Sequence, residues 1–286
     1  MKEIKVPDNY TYIAAFLTFA CNYRCEYCIN RFESFYFAQS RNVTLLGKDW
    51  VKALNKLKTD LPVTLEGGEP TLHKDFYYII NNLKEELDIH ILTNLNFDIT
   101  EFINKIDPVR LDGKSNYATI RATYHPTEID ADDFLRHAKV LKDVGFDIGL
   151  YGILHPELEP LIFRCKDKAD KMGLDFKVKD YLGFYLGKLW GKYEHKDACL
   201  MEKKRKVNCR TSELLIAPNG EVYRCHHDLY KGCSELGNIT DEGFRIYDVM
   251  RGCSNYGYCN PCDVALKTFK NDEVEQERKP AVEIKL

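Results

Sequence analysis

The chain has 286 residues, of which 30% are charged and 12% aromatic, so it is long enough for one sizeable core plus a smaller module. A formal net charge of -3 without a basic stretch gives no electrostatic footprint for DNA. No apolar run approaches the roughly 18 residues of a membrane span, and the start "MKEIKVPDNY" has no apolar signal segment, so a cytoplasmic protein is expected.

Short apolar runs rich in β-branched and aromatic residues alternate with amphipathic stretches from about residue 12 to 180. "YIAAFLTFA" (12–20), "PVTLE" (62–66), "IHILT" (89–93), "ATIRATY" (118–124), "FDIGLYGIL" (146–154) and "LDFKVKD" (174–180) read as strands. A helix is expected after a cap at Asp75, with Phe76, Ile80, Leu83 and Leu87 on one face. A second carries Phe134, Ala138 and Leu141 and stops at Gly145. Six such repeats imply an α/β fold with a parallel sheet and right-handed crossovers, open or curved into part of a barrel. Ligands then collect at the C-terminal ends of the strands. The unusual residues fall there: three cysteines after the first strand, "GGEP" after the second, Thr93 and Asn94 after the third, and "YHP" and "LHP" after the fourth and fifth. Residues 181 to about 265 are short, turn-laden and cysteine-dense and read as a second module. Residues 266–286 form a charged tail, expected as a docking helix or a poorly ordered end.

The eleven cysteines are an odd number, and without an export signal clustered cysteines point to metal binding or redox chemistry rather than disulfides. "CNYRCEYC" (21–28) places Cys21, Cys25 and Cys28 at C-x3-C-x2-C. Zinc sites close with four ligands; three thiolates suit an iron–sulfur cluster with one iron left open. The motif, with "GGEP" (67–70) after the second strand, resembles the radical S-adenosylmethionine (SAM) superfamily over roughly residues 10–180. The resemblance implies a partial (β/α)6 TIM-like barrel. It implies that Cys21, Cys25 and Cys28 hold a 4Fe–4S cluster whose open iron binds SAM. Tyr27 would lie by the adenine, and the backbone of Gly67, Gly68, Glu69 and Pro70 would hold the amine, the glycines allowing close approach. Asn94 and Thr123 join the expected cofactor contacts. For the SAM carboxylate Arg136 is preferred over Arg121.

The second group is Cys199, Cys209, Cys225, Cys233, Cys253, Cys259 and Cys262. "CRTSELLIAPNGEVYRC" reads as a hairpin turning at "PNG", with Cys209 and Cys225 across its open end and C-x2-C (Cys259, Cys262) completing a four-thiolate site. Spacing alone leaves zinc and iron near even. The C-x9–15-G-x4-C hairpin and "LGNI" (236–239) resemble the SPASM and twitch extensions of the same superfamily, which implies an auxiliary 4Fe–4S cluster on Cys209, Cys225, Cys259 and Cys262. Whether there is a second auxiliary cluster stays open. Of Cys199, Cys233 and Cys253, one could replace an assigned ligand or stand free as a hydrogen donor, with Cys253 the named candidate, and His125 is a candidate substrate or proton-shuttle residue. Cys165 reads as a small buried hydrophobe.

These readings lead to a radical SAM enzyme, of oxidoreductase or epimerase type. It would dehydrogenate or epimerise a small polar metabolite, with a reductant such as flavodoxin or ferredoxin. The alternative is a maturase that crosslinks or epimerises a ribosomal peptide. Against that stand the only ~10 residues before the first strand, where a recognition domain would need of order 50. An alternative of another class is a non-catalytic zinc-binding module.

Overall fold

The computed structural model describes residues 2–29, 43–113, 117–266, 269–270 and 280–286. Strands β1 (Tyr12–Thr18), β2 (Val63–Gly67), β3 (Ile89–Thr93), β4 (Ile120–Tyr124), β5 (Ile148–Leu154) and β6 (Phe176–Asp180) lie side by side in chain order. Every neighbouring pair is parallel. All six expected strands are present, five with ends unchanged or trimmed by up to two residues and the second shifted by one to Val63–Gly67. β1 shows why such runs are apolar throughout: its two faces feed two cores. Ile13, Ala15 and Leu17 pack into the large core under the helices. Ala14 and Phe16 pack on the other side with Phe19, Leu215, Ala217 and Tyr223.

The connecting helices are α1 (Gly47–Leu54), α2 (Phe76–Asn82), α3 (Ile99–Lys105), α4 (Ala131–Asp143) and α5 (Glu159–Lys171). α4 follows its sequence pattern. Asp130 caps it by accepting from the Asp132 amide, Phe134, Leu135, Ala138 and Leu141 are buried, and Gly145 sits at φ +102° just beyond its end. α2 departs from expectation. Asp75 is its N-cap residue but makes no capping bond; its carboxylate instead accepts from the Gly47 amide at 2.8 Å. The helix stops at Asn82, yet Leu83 and Leu87 still reach the core. The Arg110 guanidinium makes this possible by donating to the carbonyls of Ile80, Leu83, Lys84 and Leu87, which replaces the helical ladder.

The cysteine-rich part is stitched into the same sheet. β7 (Arg205–Thr211) is followed, after Ser212, by β8 (Glu213–Ile216) and β9 (Val222–Tyr223). β8 runs parallel to β1 and antiparallel to β9 through a Pro218–Asn219–Gly220 turn, where Gly220 takes φ +84°. The expected hairpin is therefore real but shorter, because the break at Ser212 sends β7, with Cys209, into a second sheet. That sheet has the order β10–β7–β12, from β10 (Arg251–Tyr256) and β12 (Val282–Lys285). Short helices α6 (His226–Lys231) and α7 (Pro261–Val264) flank it, and β11 (Phe269–Lys270) pairs with β6. The main sheet then reads β9–β8–β1–β2–β3–β4–β5–β6–β11, open and mostly parallel.

The end of the chain, expected as a helix or a poorly ordered tail, contributes strand β12; residues 267–268 and 271–279 of that tail lie outside the described residues. A buried lysine fastens the "LGNI" region. Lys56 Nζ donates to the carbonyls of Ile239, Thr240 and Asp241 at 2.9, 3.1 and 3.3 Å. Among the described residues no helix is long and apolar enough to cross a membrane.

Candidate functional site

The C-terminal ends of β1 to β6 open into a cavity of about 2140 Å³. The loop after β1 presents Cys21, Cys25 and Cys28 to it, together with Tyr27. Cys25 is buried, and Cys21 and Cys28 are exposed. A turn bond from the Cys28 amide to the Cys25 carbonyl (3.2 Å) folds the loop back on itself. Burial, then the nearby Cys28, Glu128 and Cys21 charges, pushes the Cys25 thiol up to about 12. Three thiolates crowded this way repel one another, and a multiply charged cationic group is what relieves it.

Side chains from neighbouring strands hold the loop. His125, just past β4, places Nδ1 at 3.3 Å from Cys25 Sγ and 3.0 Å from the Tyr27 hydroxyl. Burial drives that imidazole down to about 4, so it is neutral. Tyr27 stacks on His125 and leans on His155, which is edge-on to Tyr181 and Tyr185. Asn94 Nδ2 donates to Asn22 Oδ1 (2.8 Å) and points at Cys21 Sγ (3.9 Å). It is aimed by a strained turn: the fully buried Leu95 has φ +58°.

"GGEP" also braces the cysteine loop. A Cβ on Gly67 would stand 2.0 Å from the Thr18 carbonyl oxygen, and one on Gly68 2.3 Å from that of Ala20. The amides of Gly68 and Glu69 donate to those carbonyls at 2.9 and 2.8 Å. The glycines thus allow close approach of the cysteine loop's own backbone, though both still line the cavity. Glu69 and Pro70 lie behind the wall, buried. The Glu69 carboxylate accepts from the Thr71 hydroxyl (2.7 Å), the Thr93 hydroxyl (2.9 Å), and the amides of Asn94 (2.8 Å) and Thr71 (3.3 Å). It locks the β2 and β3 loops together beneath Cys21.

Arg136 is not at the site. It is 62% exposed on α4 and ion-paired with Asp133 at 2.6 Å, because its position falls on the solvent face of the helix. The structure corrects that expectation, and Arg121 and Thr123, inward on β4, line the cavity instead.

The second cysteine group is gathered from five separate places. Cys199, Cys209, Cys225, Cys253 and Cys259 share one small core with Val207, Tyr256, Val264, Val282 and Ile284. The Cys209 thiol donates to Cys253. Together with burial that bond raises Cys209, whereas accepting it lowers Cys253. Burial, then the Asp263 charge, raises Cys225 well above the thiol range and Cys199 and Cys259 to about 12. Cys262, expected in this set, instead lines the main cavity beside Tyr230, while Cys253, expected as a donor facing the substrate, is absent from its lining. The reason is register: Cys253 lies opposite Val207 on β7, next to Cys209. Cys233 sits apart, with Sγ 3.8 Å from Asp228 Oδ1, and Cys165 is fully buried in α5.

The family model described as the Radical SAM superfamily matches residues 16–162. The chain belongs to the radical SAM superfamily. Over 85 residues it is 33% identical to the GTP 3',8-cyclase of Haemophilus ducreyi, covering 29% of this chain and 24% of that one. Over 82 residues it is 34% identical to the S-adenosylmethionine-dependent nucleotide dehydratase of Selenomonas ruminantium, covering 27% of each. The matches thus span about a quarter of the length of these curated relatives. Among solved structures, Streptococcus suis SuiB bound to precursor peptide SuiA superposes with a TM-score of 0.53 at 14% identity, covering 84% of this chain and 63% of that one. The protein anSMEcpe with bound AdoMet gives 0.50 at 15% identity, covering 80% and 78%. At these identities the likeness is one of fold. Membership of the radical SAM superfamily implies a 4Fe–4S cluster and SAM, and the crowded Cys21, Cys25 and Cys28 thiols fit the cluster.

Sequence reasoning missed Tyr12 and Glu66 deep in this radical SAM cavity, and expected His226 beside the auxiliary cluster rather than in the cavity lining. Tyr12 donates to buried Glu66 at 2.6 Å, and His226 Nδ1 contacts Asp263 Oδ1 at 2.8 Å and Glu213 Oε2 at 3.6 Å. Burial alone would lower His226, but the Asp263 carboxylate raises it to about 9. Period-two alternation along each strand was the available signal: Tyr12, Glu66 and Arg121 occupy inward positions that elsewhere carry apolar residues.

Proposed function

We propose that the chain cleaves SAM reductively and abstracts hydrogen from a small polar metabolite held in the cavity, with net dehydrogenation or epimerisation. The observation that carries this reading is the Cys21–Cys25–Cys28 loop facing a large cavity whose wall carries fixed polar side chains. When bound, the cluster and SAM supply the 5′-deoxyadenosyl radical, and an auxiliary 4Fe–4S cluster supplies an electron acceptor. The chain's own residues bind and orient. Cys21, Cys25 and Cys28 hold the first cluster, and Asn94 and Glu69 fix its loop. Tyr27, His125 and His155 wall the cofactor side, Gly67, Gly68 and Thr123 line it, and Tyr181 helps keep water out. For the auxiliary cluster we propose Cys209, Cys225 and Cys259 with Cys253 in the place expected of Cys262. A reductant such as flavodoxin or ferredoxin would supply the electron.

A peptide substrate is the second reading. It is favoured by a cavity larger than the ~300–1,000 Å³ of most small-molecule sites, and by the fold neighbour SuiB bound to a precursor peptide. The test is iron, sulfide and zinc analysis of anaerobically reconstituted protein, with 5′-deoxyadenosine measured after reduction. About eight irons per chain with release of the nucleoside is expected. Zinc without absorbance near 400 nm overturns the enzyme reading.

A further inference from the structure

We infer that Arg121 is the anchor for an anionic group of the substrate, a carboxylate or a phosphate, on the cavity floor. The inference deepens the proposed function, since it takes this cavity as the substrate site. Arg121 projects from near the start of β4 into the cavity. One nitrogen, Nη2, donates to the Thr64 hydroxyl at 3.2 Å, and Nε is buried without an acceptor. Among the described residues no carboxylate lies within ion-pairing distance of it. Glu66 feels the guanidinium's charge but makes no ion pair with it, and its Oε2 receives the Tyr12 hydroxyl. A guanidinium carries five donors and cannot shed its proton, so leaving one half-buried with a single neutral acceptor is costly. The guanidinium also acts on buried His90, which burial first and then Arg121 hold down at about 4. An oxyanion accepting from the free edge satisfies the missing donor through a charge-assisted bond.

Depth says whose oxyanion this is. Arg121, Thr123 and His125 alternate along the inner face of β4 and its extension, and His125 touches Cys25 at 3.3 Å. At ~3.3 Å per residue, Arg121 lies about 13 Å below His125. That is too deep for a group chelated at the cysteine loop. It suits one end of a substrate whose reacting carbon reaches up toward that loop. The placement also removes Arg121 as a partner for the SAM carboxylate.

The test uses anaerobically reconstituted holoenzyme and three probes: acetate, inorganic phosphate and SAM, each titrated by calorimetry. Arg121→Gln should weaken the better-bound anion at least tenfold, and SAM much less. Arg121→Lys keeps the charge without the planar fork. It should weaken acetate at least threefold, and it carries the test if the glutamine variant does not fold. Acetate above phosphate assigns a carboxylate substrate, and the reverse a phosphorylated one. Unchanged anion affinity in both variants, or a loss of SAM affinity as large as the loss of anion affinity, overturns the inference. Absence of iron or of 5′-deoxyadenosine from the unsubstituted holoenzyme would instead sink the proposed function, and leave the anion titrations to be read by themselves.

Discussion

The two cysteine groups reach their places by opposite routes. Cys21, Cys25 and Cys28 come from one short loop, so their proximity is built into eight consecutive residues, and the fold needs only to aim that loop at the cavity. Cys199, Cys209, Cys225, Cys253 and Cys259 come from a short turn, two strands, a helix start and a loop, and meet only because β7 pairs with β10 over a shared core. The first group is half open to the cavity and braced by side chains. The second packs against Val207, Tyr256, Val282 and Ile284, with Cys199 and Cys209 buried and Cys225, Cys253 and Cys259 partly so. A contiguous motif tolerates strain in its surroundings, whereas a site assembled from distant elements is only as stable as their packing.

The sharpest way to break this comparison is by cysteine. Replacing any of Cys21, Cys25 or Cys28 by Ala should abolish 5′-deoxyadenosine formation, a loss beyond ~10³-fold. Replacing Cys209, Cys225 or Cys253 should remove about half the iron and leave some uncoupled SAM cleavage. Cys262→Ser separates the two assignments of the auxiliary site: iron content should hold while substrate turnover changes. If Cys262→Ser loses the iron that Cys253→Ala retains, the register argument is wrong.

Next in size is the brace beneath the first group. Glu69→Gln turns an amide toward a site that offers only donors, and should cost about 2–4 kcal/mol in urea unfolding. It should also loosen SAM binding through Cys21 and Asn94. Lys56→Met strands three carbonyls at the seam between barrel and cysteine-rich part, at about 1–3 kcal/mol. Its effect should fall on auxiliary-cluster retention more than on the first cluster. A local effect on the first cluster alone would contradict that division.

The smallest expected effect is a pH dependence in the barrel. Buried His90 has its folded value held at about 4, below the ordinary ~6.5. The unfolded chain therefore takes up the proton first, and the stability this neutral histidine permits is present above pH ~6.5 and lost as pH falls toward 4. Between pH 7 and 5 the loss should be about 1–2 kcal/mol. His90→Asn should flatten that slope in denaturant titrations at each pH.

The barrel half was legible because parallel strands buried on both faces must read as short apolar runs, and amphipathic helices must repeat every three to four residues. All six core strands and α4 follow from those periods. α2 did not, because Arg110, far along the chain, takes over the carbonyls that a longer helix would have used. The hairpin of β8 and β9 was legible from its "PNG" turn, but its docking beside β1, and that of β11 beside β6, was hidden, since edge pairing is a tertiary event with no local period.

The sequence alone determined the chemistry of the cysteine loop: three thiolates at fixed short spacing beside "GGEP" carry their geometry within the chain. It also determined the order of strands that brings that loop to a cavity. Which arginine enters the cavity, which cysteines share the second core, and what the glycines touch were decided only by the tertiary structure. The physical reason is common to all three. A side chain's reach is set by the face of the helix or strand it stands on and by the neighbour that register places opposite, and neither is a property of its immediate sequence.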